Sequence, residues 1–83
     1  MTREEIIEKL KDVCKLALPS KTELVEKLTE ESDLNTDMGL NSMSMLYVVI
    51  AIEEFFGIRF DDVSFGDFKT IKDVVDYIEE KKN

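Results

Sequence analysis

An asparagine followed by a serine, Asn41-Ser42, stands where a polar stretch gives way to a nearly unbroken apolar run ending at Phe56-Gly57. Asparagine is a good helix N-cap, because its side-chain oxygen accepts a hydrogen bond from an unsatisfied backbone N–H of the first turn. The pattern predicts a helix from Ser42 to Phe56, stopped by Gly57 at the C′ position. A helix N-terminus gathers free N–H groups and the positive end of the backbone dipole. A serine there can carry a phosphodiester with part of its charge compensated. The same residue also reads as an ordinary first-turn serine.

The other chemistry-bearing residues offer less. The chain has no histidine, which removes Ser-His and Cys-His nucleophile pairs and the commonest general base and metal ligand. No residue is assigned a catalytic role, and the chain is not expected to be an enzyme. Asp33, Asn35 and Asp37 imitate the first three ligands of a calcium loop, D-x-[DN]-x-[DN]-G, with a glutamate at position twelve. Here Met38 fills the glycine position and Ser44 the glutamate position, so no metal site is expected. The single cysteine, Cys14, falls among apolar positions and reads as a small core residue. It has no partner for an internal disulfide.

Three longer helices are expected to position these residues. Arg3 to Leu18 carries Ile6, Ile7, Leu10, Val13, Cys14 and Ala17 at i, i+3, i+4 spacing. Thr2 and Glu5 form a capping-box pattern at its start, and Pro19 stops it. Residues 19–41 form a long connection. Ser20 and Glu23 offer a second capping box, Leu24, Val25 and Leu28 could give two helical turns, and Leu34, Met38 and Leu40 would pin the rest to the core. The central helix has two apolar faces: Met45, Val48, Val49, Ile52 and Phe56 on one, Met43, Leu46, Tyr47 and Ile50 on the other. A surface helix of a small domain needs only one buried stripe. Either this helix is enclosed on both sides or its second face is kept for a partner.

After Gly57, Ile58-Arg59-Phe60 reads as a short extended piece. A short helix then runs from Asp61 or Asp62 towards Phe68, anchored by Val63, Phe65 and Phe68. Thr70 caps a last helix, Ile71 to Lys82, with Asp73 in capping-box position and Ile71, Val74, Val75 and Ile78 as its buried stripe. The fold class is therefore all-α: a small four-helix bundle with a long loop between the first and second helices and a short third helix, as one domain over residues 1–83.

The formal charge of −8 opposes binding to nucleic acid or anionic membranes and favours basic protein partners. No segment approaches the length of a membrane span and no apolar signal core opens the chain. The expectation is a cytoplasmic protein, monomeric and without membrane insertion.

With MGLNSMSMLYVVIAIEEFFGIRFDD at its middle, the chain resembles the acyl carrier protein family, which includes the peptidyl and D-alanyl carrier proteins. The family's G-x-D-S-L core reads here Gly39-Leu40-Asn41-Ser42-Met43, and its E-E-x-F-G-I reads Glu53-Glu54-Phe55-Phe56-Gly57-Ile58. Asp33-Leu34, Asp37-Met38, Phe68 to Ile71 and Val75 to Ile78 fit the flanks in order, so the similarity covers nearly the whole chain.

The resemblance implies that Ser42 carries 4′-phosphopantetheine, attached by a holo-carrier-protein synthase that uses coenzyme A. The arm's thiol would hold acyl groups as thioesters in fatty acid, polyketide or a related specialised biosynthesis. It also implies a docking surface of Asn41, Met43, Leu46, Tyr47 and Ile50, edged by Glu53 and Glu54. Its partners would be acyl-loading and acyl-transfer enzymes with basic docking patches. Two departures stand out: Asn41 replaces the usual aspartate and Met43 the usual leucine. Ser44 and Tyr47 also stand where fatty-acid carriers often place carboxylates, so partners relying on arginine–carboxylate contacts would lose them. That places a dedicated carrier of a specialised pathway on at least an equal footing with the main fatty-acid carrier. The alternatives are an unmodified acidic helical interaction module and a peptidyl or D-alanyl carrier.

Overall fold

A computed structural model describes residues 2–60 and 67–82, with Ser42 described by its backbone. The architecture is an all-α bundle of α1 (Arg3–Ala17), α2 (Thr22–Glu26), α3 (Ser42–Phe56) and α4 (Ile71–Lys82). The short helix expected from Asp61 or Asp62, with anchors Val63 and Phe65, lies outside the described residues, save for Phe68 at its end. No helix among the described residues is long and apolar enough to cross a membrane.

The capping box at the start of α1 forms as its residues require. The Thr2 hydroxyl accepts from the Glu5 N–H at 3.2 Å, and the Glu5 carboxylate accepts from the Thr2 N–H at 3.2 Å. The helix ends one residue short of the expected Leu18, which turns out of helical geometry (φ −129°, ψ 68°) as its C-cap. Its neighbour Pro19 disfavours the helical region for the residue before it. The expected capping box at Ser20 does not form. Pro19 opens a 3₁₀ turn, Pro19–Lys21, and α2 begins at Thr22 with no side-chain cap.

α1 packs against α2, α3 and α4. Its stripe of Ile6, Leu10, Val13 and Cys14 meets Met45, Val48, Val49, Ile52 and Phe56 from α3 and Ile71, Val74, Val75 and Ile78 from α4 in one core. Cys14 is part of it, and burial pushes its thiol up to about 11. A thiol held protonated in this way is a poor nucleophile. Beyond the apolar stripes, the Arg3 guanidinium pairs with Glu30, with Asp76 at 2.7 Å and with Glu79 at 3.0 Å. One side chain thus ties the start of α1 to the long connection and to α4.

The connection is held rather than loose. Leu34, Met38 and Leu40 are all buried, each contributing about 1.5–3 kcal/mol of apolar burial. Its backbone also runs beside the start of α4: Leu34 N–H donates to the Lys69 carbonyl, Ile71 N–H to that of Ser32, and Lys72 N–H to that of Glu30. The aspartates of the calcium-loop imitation serve the backbone. Asp33 Oδ1 accepts from Asn35 and Thr36 N–H at 2.7 and 2.9 Å, and Asp37 Oδ2 accepts from Asp33 N–H at 2.7 Å. The Thr36 and Asn35 N–H groups hold the Asp33 carboxyl below its ordinary range.

At the other end, Gly57 closes α3 in the left-handed region (φ 68°, ψ 35°), its N–H donating to the Glu53 carbonyl at 2.9 Å. A Cβ there would meet nothing within 4 Å, so the glycine is required by backbone conformation alone. Gly57→Ala is expected to cost about 1–2 kcal/mol, the usual penalty for a Cβ in this region, and Gly57→Asn less. Urea unfolding of the two variants checks the order. From α4, Lys82 Nζ donates to the Phe56 carbonyl at 3.1 Å, satisfying an acceptor at the end of α3. Tyr77 stacks on Phe60 at 4.7 Å and donates its hydroxyl to the Arg59 carbonyl at 2.8 Å, fixing the segment after Gly57.

Candidate functional site

The site starts with a chain reversal. Gly39 adopts φ +67°, a conformation glycine takes without strain. Leu40 then turns into the core and donates its N–H to the Leu34 carbonyl at 3.0 Å. Asn41 follows in an extended conformation (φ −108°, ψ −174°), and its Oδ1 accepts from the Ser44 N–H at 3.0 Å. Leu40 and Met45, the positions that flank a capped first turn, are both buried. Cap and flanks together fix the angle at which α3 begins.

Ser42 is therefore the first residue of a fifteen-residue helix. The first turn of α3 contains no acidic residue, so a phosphodiester there meets backbone N–H groups and the positive end of the helix without a carboxylate to repel it. The backbone around Ser42 fits a phosphopantetheine linkage on both counts. Asn41 is the residue on which this geometry depends. Asn41→Ala is expected to destabilise the protein by about 1 kcal/mol and Asn41→Asp to keep the cap, as read from urea unfolding midpoints.

The two faces of α3 separate cleanly. Met45, Val48, Val49, Ile52 and Phe56 are buried, whereas Met43, Leu46, Tyr47 and Ile50 are 59%, 37%, 56% and 45% exposed. The helix is not enclosed on both sides, and its second apolar face is open. Glu54 is exposed beside it. Glu53 is half-buried, and its Oε2 accepts from the Phe60 N–H at 2.8 Å, so one of its oxygens supports the turn after α3.

Two residues outside the sequence expectation join this surface. Leu16 on α1 is 78% exposed and Phe55 on α3 is 48% exposed. With Ala17, Tyr47, Ile50 and Glu54 they line a groove of about 490 Å³ between α1 and α3. Lys9 lies over the Phe55 ring, its ammonium 5.7 Å from the ring centre. The signal in the sequence was that both residues are large and apolar yet fall off the stripe of their own helix.

Comparison with known proteins takes in the whole of this arrangement. The phosphopantetheine attachment site family matches residues 4–78. An acyl carrier protein of Coprothermobacter proteolyticus is 39% identical over 79 residues, covering 95% of this chain and 93% of the relative. One from Thermotoga maritima is 35% identical over 82 residues, covering 96% and 95%. One from Acidothermus cellulolyticus is 35% identical over 78 residues, covering 94% and 89%. These matches run from α1 through α3 and into α4 rather than through the serine turn alone, and the chain belongs to the acyl carrier protein family, whose members are carriers bearing phosphopantetheine rather than enzymes.

Proposed function

We propose that this protein carries acyl intermediates on a 4′-phosphopantetheine arm joined to Ser42, within fatty acid, polyketide or a related specialised biosynthesis. The observation that carries the reading is the placement of the Ser42 backbone at the opening of α3, behind a hydrogen-bonded Asn41 cap. When attached, the group supplies a thiol that holds the acyl chain as a thioester. The chain's own part is to fix the root of the arm and to present a surface to the enzymes that load and unload it.

That surface is the open face of α3, with Met43, Leu46, Tyr47 and Ile50 beside Asn41, edged by Glu53 and Glu54. Its first turn is without acids, and the exposed groups beside it are thioether, aliphatic and phenolic. Partners that dock here rely more on apolar burial than on arginine–carboxylate pairs, which supports a dedicated carrier of a specialised pathway. The overall charge of −8 steers basic partners towards it and opposes association of two like-charged copies. We read it as a cytoplasmic monomer, with a holo-carrier-protein synthase as its first partner.

The test is the intact mass before and after incubation with coenzyme A, magnesium and a broad-specificity holo-synthase. A gain of one phosphopantetheine supports the reading. No gain with several synthases, and none on protein isolated from its native host, sinks it and favours an unmodified docking module.

A further inference from the structure

Lys21 closes the 3₁₀ turn Pro19–Lys21, its backbone N–H donating to the Leu18 carbonyl at 3.0 Å. The residue is half-buried, and its ammonium nitrogen lies 3.6 Å from the point where a Cβ on Gly39 would stand. Gly39 is three residues before Ser42, so the two Cα atoms are at most about 10 Å apart along the chain. Among the described residues Lys21 is in no ion pair. A cation stands beside the turn that leads into α3, and that helix carries no acid in its first turn.

We propose that Lys21 is the counter-charge of the phosphodiester on Ser42. This rests on the phosphopantetheine reading above and adds to it a residue from the far side of the long connection. The four-carbon stem lets the ammonium move from Gly39 onto a phosphodiester oxygen, and a compact charge with three donors suits a group whose oxygens point several ways. The N–H groups at the start of α3 face the same oxygens. The root of the arm is then held from two sides, by helix and by lysine, while the open apolar face of α3 stays clear for a partner. Gly39 supplies the positive φ of the turn, +67°, beside which the ammonium stands.

The test is a thermodynamic cycle on the full chain, comparing apo and holo forms of the wild type, Lys21→Gln and Lys21→Arg, with intact mass establishing the state of each. Loading is expected to raise the folding equilibrium constant by about two- to fivefold more in the wild type than in Lys21→Gln, the scale of a partly exposed ion pair. Lys21→Arg keeps the difference. It disappears in about 1 M salt, where charges are screened within about 3 Å. Because the apo form of each variant is its own reference, any general destabilisation by the substitution cancels. Equal increments in wild type and Lys21→Gln overturn the role of Lys21 and leave Ser42 as the attachment point. No mass gain on any of the proteins overturns both.

Discussion

Ser42→Ala is expected to take up no phosphopantetheine under any loading condition, while its urea unfolding free energy stays within about 0.5 kcal/mol of the wild type. The two halves of that result have separate physical causes. The helix cap is Asn41, whose Oδ1 accepts from the Ser44 N–H, and the substitution leaves that bond in place. Alanine is the best helix former and loses no side-chain entropy at the first helical position. Only the hydroxyl that would bond to phosphorus is removed. Ser44→Ala is the matching control, because it deletes a half-buried hydroxyl two residues along the same turn and is expected to load as the wild type does. Loading of Ser42→Ala, or loss of loading in Ser44→Ala with the fold intact, would assign the linkage to the wrong serine.

The elements that position Ser42 were legible because their ends are written in local chemistry. Thr2 with Glu5, Asn41, Gly57, and Thr70 with Asp73 each act over three or four residues, and each makes the bond its type and spacing predict. Ser20 with Glu23 fits the same pattern and fails. Pro19 suits the first position of a turn and starts one there, which takes Ser20 out of the extended conformation a cap requires. Two local signals overlapped, and the one with the fixed backbone angle prevailed.

What could not be read were the contacts between residues far apart in the chain. Arg3 meets Glu30, Asp76 and Glu79, yet charged residues on a helix surface carry no periodic mark of their distant partners. The pairing of the backbone at 30–34 with that at 69–72 involves N–H and C=O groups that every residue has. The docking face was half legible. Two apolar stripes on one helix fit enclosure or exposure equally well. Only the packing of the folded core, which buries the Met45–Phe56 stripe and leaves the other in water, decides between them. Leu16 joins the open face from another helix, and α3 by itself gives no hint of it.

The face assignment makes the second large effect a contrast between two isoleucines on the same helix. Ile52 is 1% exposed and Ile50 is 45% exposed, two residues and half a turn apart. Ile52→Ala removes methylene and methyl groups from the closed side, inside the core, and is expected to cost about 2–5 kcal/mol through lost burial and the cavity left behind. Domains of this size are stable by about 4–12 kcal/mol in total, so the variant loses a large share of its stability and its urea midpoint falls accordingly. Ile50→Ala takes the same atoms from a face already in water and is expected to shift stability by no more than about 0.5 kcal/mol. Its effect falls on docking instead: kcat/KM for loading by an enzyme that rests on this face drops by about tenfold, the scale of an interface contact worth more than 1 kcal/mol. Ile52→Ala, assayed where it is still folded, keeps most of that docking efficiency because its side chain never reaches the partner. Equal loss of stability in the two variants would mean that α3 is enclosed on both sides, and the docking surface would have to be sought elsewhere on the bundle.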